Sequence, residues 1–233
     1  MMIAERIRSH ITHLYFMTLP YYLGYETALE MAKHKKEELN RALEIMQFGN
    51  SILDTISGRD MHTLCMQVGG FTKVPSQEKI KELHKKALQV YPKILETAEL
   101  FSKLKYPELA RKTEYFSLRK DNEYPIIEGS LYSYSGDFDE SDYKKHIYEN
   151  IEEYSTSKFA LKDNRSFMVG ALARINNNYE YLDNDAKKFL KKEILPIDNP
   201  FYNNSCQAIE LVHLTQELIK ILGSLNVKNE TIN

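Results

Sequence analysis

The 233-residue sequence predicts an α+β fold that is mostly α: a bundle of long helices with a small β-sheet inserted between the third and the fourth. Three observations carry this. Apolar residues recur at steps of three and four over long stretches in both halves of the chain, which is the spacing of one helical face. Between residues 112 and 136 that spacing gives way to alternation, with tyrosine, serine and isoleucine enriched and glycine and asparagine as punctuation. No internal repeat or low-complexity linker divides the chain, so the expectation is a single domain over residues 1–233.

Taken in order, Ile3, Ile7, Ile11, Leu14 and Thr18 predict a first helix over about 3–19, closed by Pro20. Leu39, Leu43, Met46, Leu53 and Ile56 lie in a second, over about 27–57, with Gly58 placed for a left-handed C-terminal turn. A third, over about 77–104, runs along Ile80, Leu83, Ala87, Tyr91, Ile94, Ala98 and Phe101 behind Ser76 as its cap. Pro92 falls inside that pattern and is expected to kink or split it. Two or three short strands fit 112–136. Helical spacing then returns with Tyr143, Ile147, Ile151 and Tyr154 behind Ser141, predicting a helix over 141–154, and again over 164–179. The last helix, over 203–222 with Gly223 as its stop, carries Leu211, Leu214, Leu218, Ile221 and Leu222 on one face and Ile209 and Val212 on the next. Two apolar faces imply burial on more than one side. Only the closing "NVKNETIN" reads as a frayed tail.

Composition narrows the function classes. With 42% hydrophobic residues the chain is long enough to bury a sizeable core. Lys+Arg 31 against Asp+Glu 33 leaves a formal net charge of -2, so no basic field argues for nucleic acid and no polybasic run for a membrane surface. No apolar run reaches the roughly 18 to 20 residues of a membrane span, and "MMIAERIRSH" has an acidic residue where a signal peptide is apolar. The expectation is a cytoplasmic chain that does not itself span a membrane. Cys65 and Cys206 stand alone and read as buried thiols rather than as a disulfide.

The stretch "GRDMHTLCMQVGGF", residues 58–71, concentrates the chemistry. His62 and Cys65 are three apart, which on a helix would place them on one face, yet two ligands do not complete a metal site. None of the other histidines stands beside another cysteine in a CxxC or HxxxH pattern. "VGGF" lacks the lysine and the Ser/Thr of a phosphate-binding loop, while Gly69 and Gly70 supply backbone freedom for a turn or a close approach. A Cys65 nucleophile would need a base, and His62 is available, but no acidic partner is apparent. His10 and His13 share a face of the first helix and read as one packed and one partly exposed side chain. Carboxylate pairs such as Glu152-Glu153 read as solvated.

Four segments, taken together, resemble the large subunit of nickel-iron hydrogenases, on the cytoplasmic branch that includes archaeal sulfhydrogenases and the enzymes of methanogens. They are "IRSHITHLYFMTLPYYLGY" (7–25), "GRDMHTLCMQVGGFTKVPS" (58–76), similar to the family's GR-x-x-H followed by V-G-G-F-T-K-x-P-S, "NRSFMVGALARINNNYEYL" (164–182) and "NPFYNNSCQAIELVHLTQE" (199–217). Their order and spacing also resemble the family's. The resemblance implies a hydrogenase large-subunit-like core and a small-subunit partner that carries iron-sulfur clusters. By the same match His62, with Arg59 beside it, faces a cluster of that partner, and Gly58, Val68, Gly69 and Gly70 form the turn and interface around it. The plain structural alternative is that His62 caps carbonyls at the preceding helix end.

The chain also departs from the family pattern. The family holds nickel with four thiolates from two CxxC motifs, and this sequence has neither. Thr63 stands where proline is usual, Cys206-Gln207 where alanine-arginine is usual, and "YSTSKF" (154–159) keeps only Lys158 of a histidine-flanked lysine. The expectations that follow are a truncated or split large subunit, unable to hold the nickel-iron centre alone and completed by separate chains bearing the CxxC ends. The alternatives are a non-catalytic hydrogenase-like subunit that docks an iron-sulfur partner, and a gene fragment without activity of its own.

Overall fold

The computed structural model describes residues 1–190 and 195–227. In chain order its helices and strands are α1 (Met2–Thr12), a π-helical turn (His13–Thr18), α2 (Leu19–Tyr22), α3 (Ala28–His34), α4 (Lys36–Ser57), β1 (Met66–Gln67) and β2 (Gly70–Phe71). There follow α5 (Gln77–Ser102), β3 (Glu114–Tyr115), β4 (Ser117–Arg119), β5 (Ser130–Ser133), β6 (Gly136–Phe138), α6 (Tyr143–His146), β7 (Ile147–Ile151) and β8 (Lys158–Lys162). The chain continues through β9 (Phe167–Met168), α7 (Ala171–Asn178), α8 (Asn184–Lys187) and α9 (Asn203–Ser224). Short 3-10 turns accompany α6, α7 and α9. The expected frayed tail lies, from residue 228 onward, outside the described residues. The chain divides into two compact units, Met1–Lys105 together with the chain from Gln207, and Tyr106–Cys206.

The first unit is the helix bundle. Ile7, Ile11, Leu14, Tyr15, Ile45, Ile52, Ile94 and Phe101 are fully buried in it, as are Leu211 and Val212 of α9. The buried stripe of α4 is Ala42, Ile45, Gly49 and Ile52 rather than Leu39, Leu43 and Met46, which are half-buried. The small residues decide this. A Cβ on Gly49 would stand 3.2 Å from the Ala4 carbonyl, so α1 and α4 approach closely there and a larger residue would have to push the α1 backbone away by a few tenths of an ångström. Tyr15 closes the core against Phe101 edge to face, at 5.8 Å between ring centroids, and its hydroxyl is 2.9 Å from Thr97 Oγ1.

Several helix bounds depart from the sequence expectation. The first helical run does not close at Pro20 but passes through it to Tyr22, because the proline occupies the first turn of α2, where a missing N–H costs little. The run expected over 27–57 is two helices, interrupted at Lys35, whose backbone (φ -124, ψ 58) leaves the helical region. Thr27 caps α3 by accepting from the Glu30 amide, and Ser76 caps α5 in the same way from Lys79. The helix α5 is not split at Pro92, which lies on its exposed side, so water can serve the carbonyl that the proline leaves without a donor. Gly223 does not stop α9, which runs to Ser224. A Cβ at Gly223 would meet His84 Nε2 at 3.3 Å, so this glycine serves close packing instead.

The second unit holds most of the strands. β4, β5 and β6 form an antiparallel meander in which Leu131 pairs with Leu118 on one side and Phe138 on the other. β3 pairs with β9 in parallel, and β7 with β8 as an antiparallel hairpin from Ile147↔Lys162 to Ile151↔Lys158. The helix expected over 141–154 is therefore corrected. Only Tyr143–His146 is helical, and Ile147–Ile151 is strand β7. Ile147 and Ile151 are four apart, a separation that returns to the same side in both a helix and a strand, so the spacing does not discriminate. The helix expected over 164–179 shortens to Ala171–Asn178, since Phe167–Met168 pairs as a strand and Gly170 (φ 95) turns the chain between them. Gly129 (φ 148) is obligatory in a similar way, because a Cβ there would lie 2.5 Å from the Arg119 carbonyl oxygen.

Candidate functional site

The stretch 58–71 begins where α4 ends and projects from the first unit as a loop and a short hairpin. Gly58 adopts the left-handed conformation (φ 82), and its amide donates to the Asp54 carbonyl. The amides of Leu64 and Cys65 return to the Ser57 carbonyl at 2.9 and 3.1 Å. Backbone donors thus satisfy the helix end, and the His62 imidazole does not cap it. Arg59 folds back over its own loop, its Nε donating to the carbonyls of Met61 (2.6 Å) and His62 (3.0 Å). From α1, Arg8 donates to the Asp60 carbonyl at 2.8 Å and so ties the loop to the bundle.

This internal bonding does not engage the His62 side chain. His62 is exposed, sits at φ 52, a backbone region uncommon for a residue with a side chain, and its ring makes no hydrogen bond, ion pair or ring contact to the described residues. Arg59 and His62 are brought together through the His62 carbonyl, not through the ring. The loop is not helical, so His62 and Cys65 do not share a helix face, and among the described residues no group of three or more His, Cys, Asp or Glu is placed to hold a metal. Cys65 is half-buried, and a Cβ on Gly58 would stand 3.0 Å from its sulfur. Cys206 is fully buried.

Beyond Cys65 the chain forms the β1–β2 hairpin, with Met66 opposite Phe71, Gln67 opposite Gly70, and Val68-Gly69 as the turn. Gly69 supplies the positive φ (89) that the second position of such a turn demands. Apolar side chains crowd this projection: Met61 is 57% exposed, Leu64 62% and Met66 52%, and Val68 is wholly exposed. An isolated exposed apolar residue carries no information, but several on one short loop mark a surface built to be covered.

Polar pairings in both units were missed by sequence reasoning. In the first unit His10 Nε2 is 2.8 Å from Glu210 Oε2, both buried, and the half-buried His13 meets Gln207 Oε1 at 2.7 Å one turn away. The packed-and-partly-exposed reading of the two histidines holds. The available signal was Glu210 itself, a carboxylate within the two-faced apolar pattern of α9, which must be paired if it is buried. In the second unit Lys162 Nζ lies 2.9 Å from Glu114 Oε1, and Ser133 and Ser135 also donate to that carboxylate. Burial opposes ionisation of Glu114, but the bonds from Ser133, Ser135 and Lys162 outweigh it and hold the carboxyl below its usual range. Burial likewise disfavours the Lys162 cation, and Glu114 and Asp163 more than compensate, so its pKa is raised. Nearby Tyr115 is pushed up to about 12 by burial, with Asp198 and Cys206 adding to the effect. Lys158, the lysine kept from the "YSTSKF" stretch, is exposed and paired to Glu149 at 2.6 Å.

No family model matches the chain. It is 31% identical over 231 residues to the alpha subunit of sulfhydrogenase 1 from Pyrococcus furiosus, covering 97% of this chain and 54% of that one. It is 26% identical to the alpha subunit of sulfhydrogenase 2 from the same organism, over 95% of this chain and 52% of the relative. The chain thus spans about half the length of the curated relatives it matches. Among solved structures, an NAD+-reducing [NiFe]-hydrogenase in the H2-reduced state superposes with a TM-score of 0.84 at 18% identity, over 95% of this chain and 56% of that one. A [NiFeSe] hydrogenase from Desulfovibrio vulgaris Hildenborough gives 0.64 at 16% identity, over 99% and 61%.

Proposed function

The chain belongs to the nickel-iron hydrogenase large-subunit family, and from that premise we propose that it is the scaffold of a split or shortened large subunit, working in H2 oxidation or proton reduction only within an assembly. The observation that carries the reading is the projecting 58–71 loop, which presents Met61, Leu64, Met66 and Val68 to solvent around an uncommitted His62. We assign this surface to an iron-sulfur small subunit. At such a surface His62 would donate a hydrogen bond toward a cluster and tune its potential, while Arg59 holds the loop that carries it.

The donor count limits what these 233 residues can hold by themselves. A four-thiolate nickel site asks for four cysteines, and this sequence has two, Cys65 and Cys206, neither in a CxxC pair. The residues present do not fit the centre, and no catalytic step is assigned to them. Other chains bearing CxxC segments would supply its ligands in a cytoplasmic complex. The same count favours one second reading, a non-catalytic subunit that docks the iron-sulfur partner without nickel.

Co-expression with CxxC-bearing chains and the candidate small subunit, followed by purification and elemental analysis, separates the two. Stoichiometric nickel in the full complex supports the split enzyme. A stable complex devoid of nickel sinks it and leaves the docking role.

A further inference from the structure

Within the second unit a cleft of 920 Å³ is lined by residues of unlike chemistry, among them Arg111, Lys112, Arg165, Tyr134 and Asn177. Its size lies in the range of small-molecule sites, roughly 300 to 1,000 Å³. Of the two carboxylates in the wall, Glu114 is neutralised by Lys162 and only Asp198 remains against the three cations. Lys112 and Arg165 form no ion pair with the described residues, and the one side-chain bond of Arg111 runs from Nη2 to Ser166 Oγ at 3.2 Å, which leaves most of its planar fork open. The surplus is positive and uncommitted.

The rest of the lining suits a flat ring. Tyr134 is 68% exposed and its ring makes no contact with the described aromatic residues, whereas Tyr132 already has the Arg119 guanidinium over it at 4.3 Å. The Asn177 amide nitrogen donates to the Tyr115 carbonyl and to Ser117 Oγ, so its side-chain oxygen remains an acceptor for an amino group.

We propose that this cleft binds a nucleotide-type ligand, with phosphate held by Arg111, Lys112 and Arg165 and an aromatic base stacked on Tyr134 beside the Asn177 carbonyl. Guanidinium forks match phosphate oxygens two at a time, and three cations exceed what a single carboxylate needs. The proposal does not depend on the hydrogenase reading.

Isothermal titration of the full chain with ADP, adenosine and pyrophosphate tests it, with circular dichroism as the control for folding. ADP should bind saturably at one site, adenosine at least about tenfold more weakly for want of the charge-assisted contacts. Arg111→Ala/Arg165→Ala should weaken ADP by about tenfold or more. Tyr134→Ala, an exposed substitution that spares the fold, should weaken it by about fivefold or more through lost stacking. Absence of saturable ADP binding at millimolar concentration overturns the proposal. So does pyrophosphate binding as tightly as ADP with Tyr134→Ala unchanged, which identifies a plain anion site. If instead an acidic polypeptide partner covers the cleft and ADP does not compete, the site is a protein interface and the nucleotide assignment falls.

Discussion

Lys162 Nζ lies 2.9 Å from Glu114 Oε1 with the two side chains only 4% and 3% exposed, and through Ser133 the pair joins β8, β3 and β5. It pins three otherwise separate small sheets of the second unit together. Replacing Lys162 by Met leaves a buried carboxylate uncompensated and should cost about 3 to 5 kcal/mol. Lys162→Met/Glu114→Leu should recover most of that loss. Urea unfolding of the two variants is the check, and a double variant no more stable than the single one would show that the unpaired charge is not what destabilises Lys162→Met.

The same pair sets a pH dependence. The folded pKa of Glu114 is depressed, so its contribution is present above the unfolded value near 4.5 and is lost as pH falls through the folded value. The folded pKa of Lys162 is raised, so its contribution is present below the unfolded value near 10.5 and is lost as pH rises through the folded one. Thermal unfolding of the second unit should show a plateau between these limits and a decline on both sides. In Lys162→Met/Glu114→Leu both declines should diminish. Identical profiles in the two proteins would remove the pair from the explanation.

Gly129→Ala tests the backbone at the head of β5. The added Cβ would stand 2.5 Å from the Arg119 carbonyl oxygen and would have to hold φ at 148. A loss of about 1 to 3 kcal/mol is expected from the strained conformation alone, measured by chemical denaturation. The neighbouring Ser130→Ala substitution would be a poor control, since Ser130 Oγ bonds the same carbonyl, whereas Glu153→Ala at an exposed position should change stability by no more than about 0.5 kcal/mol.

His62→Ala should leave stability within about 0.5 kcal/mol, because the ring is exposed and makes no hydrogen bond, ion pair or ring contact to the described residues. In a reconstituted complex it should weaken association with the proposed iron-sulfur partner or shift that partner's cluster potential, read by titration and by redox-monitored spectroscopy. If both readouts stay unchanged, the stretch reduces to a helix stop followed by a hairpin.

Much of the first unit could be read along the chain. Ser76 as the cap of α5, Gly58 as the left-handed end of α4 and the burial of the last helix all follow from interactions within a turn or two of sequence. The candidate loop was also visible as a cluster of residue types, but its working parts were not. Arg59 spends its donors on backbone carbonyls a few residues away, which no spacing reveals, and His62 is left free by bonds that Leu64 and Cys65 make to Ser57. The strand β7 escaped detection because Ile147 and Ile151 satisfy two periods at once, and pairing with β8 decided between them.

By itself, then, the sequence determined the apolar periodicity of the long helices, their caps, the family resemblance and the limit of two cysteines, all properties of residues near one another in the chain or of simple composition. Tertiary structure alone decided which charges are buried and with what. His10 meets Glu210 from a distance of 200 residues, and Lys162 of the β7–β8 hairpin reaches Glu114 of the β3–β9 pair. A charge in an apolar pattern announces that it needs a partner, but desolvation acts on the assembled interior, and only the packing of distant segments supplies that partner.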